Sequence, residues 1–374
     1  MTGGRPKLVH VVGARPNFVK MAPVVETLAR TRAFEQIIVH TGQHYDARLS
    51  DDVLADLGFP APDHFLGVGS GPHGEQTAKV LAGFEQILLD VDPDVVVVAG
   101  DVNSTLACAL AAAKLGTQVV HLEAGLRSGD WSMPEEINRV LTDRLSDVLL
   151  THSPEALDNL VAEGIDPRSV HFVGNTMIDS LRRCEKRARA RAAFRDLGFA
   201  AQGYVLVTFH RPGNVDRTER LAQIVTALVE LAGHCPVVFP VHPRTHARLA
   251  GSGDLDRLET AGVRCIGPVG YLEFLSLQGA AGAIVTDSGG IQEEASALGV
   301  ACFTFRPNTE RPVTITHGTN TLLGEDPIEI ARIRPTRRPP LPCAIPLWDG
   351  HAAERVAEVL VSRYADTRHV EVAA

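Results

Sequence analysis

Aromatic side chains make up only 5% of the 374 residues, and the six cysteines, Cys108, Cys184, Cys235, Cys265, Cys302 and Cys343, form no CxxC pair. Scattered thiols among mostly apolar neighbours argue against a zinc ribbon or a disulfide frame and read as reduced filler. No apolar run approaches the ~20 residues that a membrane span requires. Positive charge is also in deficit, with 36 Lys and Arg against 45 Asp and Glu and a formal net charge of -9. Nucleic acid and anionic membranes are therefore poor partners, and any anionic ligand has to be held by local cations. GxxxxGK[ST] does not occur, and the one GxGxxG, residues 69–74, follows none of the long apolar strand runs, so NAD- and ATP-type binding lose support. No solenoid-type repeat is visible. The opening MTGGRPKLVHVVGARP runs directly into a strand without a signal-peptide layout, and a cytoplasmic location is expected.

What the chain does contain is a βαβ rhythm. LVHVV, QIIVH, DVVVVAG, QVVHLEAG and DVLLTHS are followed, after a break, by YVLVTFH, PVVFPVH, RCIGPV, AIVTDSGG and ACFTF. Continuous apolar strands alternating with amphipathic helices predict parallel sheets covered on both faces. The break, residues 177–202, is a basic helical segment carrying Arg182, Arg183, Lys186, Arg187, Arg189, Arg191 and Arg195. It has no interleaved aromatics and reads as a solvated helix between domains rather than a polyanion site. The expected fold class is α/β, two Rossmann-like domains facing each other across a cleft, with residues 1–178 in the first and 179–349 in the second. Residues 332–348, rich in proline, read as a rigid surface connection.

Open parallel sheets bind ligands beyond the carboxyl ends of their strands, where this sequence repeatedly places polar residues. The richest such tail is TDSGGIQEEASALGVACFTFRPNTERP, residues 286–312. Its Ser288, Gly289 and Gly290 open a helix whose unpaired N–H groups and macrodipole suit a pyrophosphate. Glu294 suits ribose hydroxyls, or is simply favourable helix chemistry. Arg15 and Lys20 flank the first helix start. Asp101, Glu123 and the Glu135–Glu136 pair follow other strand ends, with Arg139 one turn further on. Each has a structural reading too: Asp101 as a helix cap, Glu123 as an ion-pair member, the Glu pair as first-turn residues. His210 at a strand end is either a hydrogen-bonded structural histidine or a site group. His242 and His246 have i, i+4 spacing, but the intervening proline and the lack of an HExxH glutamate argue against metal.

GARPNFVKMAPV, TGQH, GDVNSTLA, HLEAGLRS, PEEINRVLTDRLSD, VGNTMIDSL, HR..NVD, PVHPRT, GYLEF, TDSGGIQEEASALG and NTERP occur in this order over residues 11–324. Together they resemble the non-hydrolysing UDP-N-acetylglucosamine 2-epimerases. The resemblance implies a GT-B-like pair of domains, a last helix near residues 350–365 returning to the first domain, a homodimer, and reversible conversion of UDP-GlcNAc to UDP-ManNAc without metal or redox cofactor. It further implies Asp101, Glu123 and Glu135 as catalytic carboxylates and His210 as a catalytic or leaving-group histidine. Ser288, Gly289, Gly290 and Arg311 match the pyrophosphate positions, Glu294 the ribose glutamate and Phe274 the uracil position, with His242 near phosphate. Arg15, Lys20 and Arg139 are expected to keep neighbouring carboxylates ionised, while grouped carboxylates raise one another's pKa by repulsion.

Two departures stand out. The stretch GVGSGPHGEQTAKV lacks the arginine that many bacterial members use, with TGQH, to hold an activating second UDP-GlcNAc, so such activation is not expected. HRPGNVD has Gly213 where many members have glutamate. Parts of the wording also resemble relatives acting on UDP-diacetamido-glucuronic acid, although NTERP favours the GlcNAc enzyme. A hydrolysing epimerase, a glycosyltransferase on the same fold and an inactive UDP-sugar sensor are the competing readings.

Overall fold

The computed structural model describes residues 4–43, 54–336 and 344–365; His44 of TGQH, Cys343 and part of the proline-rich stretch lie outside them. The chain divides into two compact units, Met1–Arg182 with Pro346–Ala374, and Arg183–Ile345.

Unit 1 runs β1 (Lys7–Val12), α1 (Arg15–Thr31), β2 (Glu35–His40), β3 (His64–Phe65), α2 (His73–Val91), β4 (Val95–Ala99), α3 (Asn103–Leu115), β5 (Gln118–Ala124), α4 (Pro134–Leu145), β6 (Val148–Thr151), α5 (Glu155–Ala162), β7 (Val170–Phe172) and α6 (Thr176–Arg191), the last crossing the division. Its strands pair in parallel in the order β3-β2-β1-β4-β5-β6-β7. Every residue of β4, VVVVA, is buried, as a strand covered on both faces requires. Val9, Val11, Val96 and Val98 share one buried cluster with Val80, Phe84, Cys108 and Ala112 of α2 and α3. Burial of each such valine contributes about 1.5–3 kcal/mol.

Unit 2 runs β8 (Val205–Thr208), α7 (Thr218–Ala232), β9 (Val237–Pro240), α8 (Pro243–Ser252), β10 (Val263–Ile266), α9 (Tyr271–Ala280), β11 (Ala283–Thr286), α10 (Gly289–Leu298), β12 (Cys302–Thr304) and β13 (Asn320–Leu322). All pairs are again parallel, in the order β10-β9-β8-β11-β12-β13. The two-residue period of a strand is explicit here. Val205, Val207, Val237 and Val285 cluster with Ile224 and Leu228 of α7. Leu206, Val238 and Ile284 point the other way, against Leu277 of α9 and Ile291 and Ala295 of α10.

The C-terminal helix α11 (Ala352–Leu360) belongs to unit 1, where it packs on α1 through Ala353, Val356, Ala357 and Leu360. Its unpaired first amides are satisfied by the Asp179 carboxylate, which accepts from Ala352 N at 3.1 Å and Ala353 N at 2.7 Å. Trp348 Nε1 donates to the His152 carbonyl at 2.8 Å just before it. Among the described residues, no helix is long and apolar enough to cross a membrane.

Candidate active site

In each unit the strand order reverses between two central strands, β1 and β4 in unit 1, β8 and β11 in unit 2, and the crevice beyond that reversal is where α/β sheets bind ligands. The polar residues collect there. In unit 1, Asn17 shapes the turn after β1: its Oδ1 accepts from Gly13 N at 3.2 Å and Ala14 N at 2.9 Å, and its Nδ2 donates to the Ala99 carbonyl at 2.9 Å. The bond from Ala14 N is the return bond of a capping box, from the third helical residue to the cap amide, and Ala14 has no side-chain oxygen to make the other half. One turn further, Lys20 is buried and its Nζ donates to Glu123 Oε2. Arg15 is exposed at the start of α1.

Glu123 sits on a bulge in β5 with φ of 72°, in the left-handed region, where a non-glycine residue costs about 1–2 kcal/mol. Gly100 opposite has φ of 67°, and a Cβ there would lie 3.0 Å from Lys20 Nζ and 3.1 Å from Glu123 Oε2. Only glycine leaves the ion pair room and adopts that backbone. The next residue, Asp101, is half-buried and accepts from Arg139 Nη2.

Helix α4 turns a charged face inward. Arg139 is buried and bridges Asp101 to Glu136, which also accepts from Ser128 N at 3.0 Å, Ser128 Oγ at 2.9 Å and Gly129 N at 2.8 Å. Burial works to raise the Glu136 carboxyl, but the Ser128 and Gly129 amides and the Arg139 guanidinium outweigh it and hold the group below its ordinary range. Glu135, its neighbour, is exposed on the same first turn. Of the cations expected beside the carboxylates, Lys20 faces Glu123 and Arg139 faces Asp101.

In unit 2, the segment after β8 meets the segment after β11 through Asp287. This completely buried carboxylate accepts from His210 N at 3.2 Å, Arg211 N at 3.0 Å and Asn214 Nδ2 at 3.0 Å, and lies 3.2 Å from His210 Nδ1. Burial pushes the Asp287 carboxyl up, but His210 and the converging donors prevail and its pKa is lowered. The His210 ring keeps an exposed side, 6.0 Å from the exposed ring of His242. His242 Nδ1 accepts from Arg244 N at 3.2 Å, capping α8.

Helix α10 starts at Gly289, with Ser288 as its N-cap residue making no side-chain cap bond and Gly290 half-buried beside it. A Cβ on Gly289 would lie 2.5 Å from Arg311 Nη1 and 2.9 Å from Glu310 Oε1, so glycine is what lets the guanidinium reach the helix start. Arg311 also pairs with Glu293. Glu310 is shared by three guanidinium groups: Arg311, Arg306 at 2.7 Å and Arg211 at 3.5 Å. Burial works against its charge, yet the three cations hold the Glu310 carboxyl well below its ordinary value. Three guanidinium groups thus face two carboxylates, Glu310 and Glu293, and the cluster keeps an excess of positive charge. Glu294 is buried and accepts from Gln278 Nε2 at 2.6 Å, and Phe274 is half-buried against the unit 2 core. The arrangement offers a helix start and three arginines to a diphosphate, and in unit 1 a set of cation-paired carboxylates to a proton transfer.

The sequence profile of the UDP-N-acetylglucosamine 2-epimerases matches residues 26–361. The chain belongs to that family. Among its epimerase relatives, the UDP-N-acetylglucosamine 2-epimerase of Methanocaldococcus jannaschii is 42% identical over 362 residues, covering 95% of this chain and 98% of the relative. The crystal structure of the Methanocaldococcus jannaschii enzyme in complex with UDP-GlcNAc and UDP has a TM-score of 0.86 at 40% identity, covering 95% of this chain and 99% of that one. A UDP-2,3-diacetamido-2,3-dideoxy-D-glucuronate 2-epimerase of Pseudomonas aeruginosa is 43% identical over 322 residues, covering 85% and 88%. The α/β class with two Rossmann-like sheets, GT-B-like, is shared with these solved epimerase structures.

Sequence reasoning passed over Asp287, Glu310 and Arg306, and of the Glu135–Glu136 pair it assigned the role to Glu135 rather than Glu136. A signal existed for each. Asp287 directly precedes Ser288, Glu310 and Arg306 belong to the FRPNTERP segment, and Glu136 is three residues before Arg139 on one helix face.

Proposed function

We propose that this chain interconverts UDP-GlcNAc and UDP-ManNAc by eliminating and re-adding UDP. The observation that carries the reading is the concentration of Glu123, Lys20, Asp101 and Arg139 at the unit 1 reversal in a member of the 2-epimerase family. The hydrogen on C2 of the hexosamine has no adjacent carbonyl to receive its electrons. As a carboxylate takes that proton, the C2–H electrons form the C1=C2 bond of a 2-acetamidoglucal, and the C1–O bond breaks with its pair leaving on UDP. In the reverse step the UDP oxygen rebonds to C1 while C2 is protonated from the opposite face. Base, acid and charge stabilisation are all the step requires.

In this assignment Ser288, Gly289, Gly290, Arg311, Arg306 and Arg211 receive the diphosphate, Glu294 the ribose and Phe274 the uracil. His210, oriented by Asp287, faces the departing oxygen, and His242 stands beside it. Asp101, Glu123 and Glu135 are the acid/base groups, with Arg15, Lys20 and Arg139 as their cations. A homodimer and a cytoplasmic site of action complete the reading; the outward Ile137 and Leu141 of α4 support the first, and nucleotide-sugar chemistry with buried reduced thiols the second.

The test is a mass balance by NMR on UDP-GlcNAc. UDP-ManNAc should accumulate to a stable ratio, and free ManNAc with UDP in stoichiometric amount would instead establish hydrolysis. The Pseudomonas aeruginosa relative motivates a second substrate arm with UDP-2,3-diacetamido-2,3-dideoxy-D-glucuronate. Faster turnover of that sugar would move the assignment to the uronic acid.

A further inference from the structure

Behind the carboxylates of unit 1 lies a buried contact between a histidine and a further carboxylate. His121, two residues before Glu123 on β5, is completely buried, with Nδ1 2.6 Å from Asp143 Oδ1 and Nε2 2.8 Å from the Gly100 carbonyl oxygen. A carboxylate and a carbonyl only accept, so the two bonds together place a hydrogen on each ring nitrogen. Asp143 is itself held as an acceptor: its Oδ2 takes Gly125 N at 3.1 Å and Arg127 Nη1 at 2.8 Å, and Arg127 continues to Glu163.

Both ends of this frame reach backbone that carries site groups. Gly100, whose carbonyl accepts from His121, precedes Asp101 and faces the Lys20–Glu123 pair. Gly125, whose amide is held by Asp143, follows the bulge that places Glu123. Asp143 also lies one turn beyond Arg139 on the inner face of α4, and Arg139 holds Asp101. A left-handed glutamate persists only where its surroundings over-determine it.

We infer that His121, as an imidazolium, and Asp143 are positioning residues for the epimerisation, locking the Gly100 carbonyl and the Gly125 amide and so aiming Asp101 and Glu123. The inference rests on the proposed assignment of those two carboxylates to proton transfer. Neither His121 nor Asp143 touches the sugar. Their loss acts on the geometry of the transfer and not on nucleotide binding.

Two measurements test it. Nitrogen NMR of histidine-labelled wild type without substrate, with the ring assigned through its bonded connection to the His121 backbone, should show both His121 ring nitrogens protonated at neutral pH; a neutral ring overturns the frame. Asp143→Asn and His121→Gln should each lower kcat about 100-fold, the scale of a 1 Å misplacement, with KM and UDP affinity changed less than about threefold. Wild-type kcat in either folded variant, or parallel losses in UDP affinity and kcat, contradicts positioning. If neither variant folds, the ring measurement decides. Wild type that does not turn over UDP-GlcNAc contradicts the proposed function, whereas active wild type with a neutral ring contradicts only this frame.

Discussion

Replacing Glu123 by glutamine keeps the shape of the side chain and removes the charge that Lys20 faces. Because the proposed UDP contacts belong to unit 2, Glu123→Gln should bind UDP within a few-fold of wild type by calorimetry. Exchange of the C2 proton should fall by about 10²–10⁴, the usual contribution of a positioned acid/base group. Gly289 makes the complementary case. A methyl group there would meet Arg311 Nη1 at 2.5 Å, and overpacking of this kind costs about 1–3 kcal/mol. Gly289→Ala should weaken UDP binding about tenfold or more in the same titration, with C2 chemistry intact at saturating substrate.

Glu310 contributes to the acid dependence of stability. Its folded pKa is depressed well below the ordinary 4.5, so its stabilisation is fully present above that value and is lost as pH falls through the folded pKa. The urea midpoint of the wild-type protein should fall on acidification below about pH 4.5, the ordinary glutamate value. In Glu310→Gln that portion of the fall should be absent, although the variant starts from a lower midpoint at pH 7 because three guanidinium groups lose their shared anion. A midpoint in the variant with the same acid dependence as wild type would remove Glu310 from this role.

At the scale of elements, helix α4 shows where the sequence was legible and where it was not. The strands announced themselves as apolar runs because a doubly covered strand must be apolar on both faces. In α4 the usual rule points the wrong way. Ile137 and Leu141 lie 40% and 45% exposed, while Glu136, Arg139 and Asp143 face inward. Hydrophobic periodicity therefore could not tell which of Glu135 and Glu136 is buried. The spacing 136, 139, 143 marks one helical face, but only the partners on the loops after β4 and β5 show why that face is charged. The bulge at Glu123 was likewise invisible, since nothing in HLEAG distinguishes a left-handed glutamate from a regular strand residue. Helix α11 supplies an independent prediction at this scale. Asp179→Ala leaves the amides of Ala352 and Ala353 without their acceptor and should lower the stability of unit 1 by about 1–2 kcal/mol in chemical denaturation. An unchanged midpoint would show that water satisfies the helix start equally well.

Across the whole molecule, two parallel sheets of similar construction have been given different polar equipment at corresponding places. The reversal in unit 2 carries the helix start, His210 and the arginines around Glu310; that in unit 1 carries carboxylates paired with Lys20 and with Arg139, which serves both Asp101 and Glu136. This division fits a reaction in which a nucleotide is released and kept while a proton is moved. Its central claim is that the C2–H bond breaks and re-forms. Incubating the protein with UDP-GlcNAc in D2O and following the sugar by NMR measures that directly. The account predicts UDP-ManNAc with deuterium at C2, and deuterium entering the remaining UDP-GlcNAc as the reaction reverses. UDP-GlcNAc that is bound yet unchanged at high protein concentration, with its C2 proton retained, would contradict it.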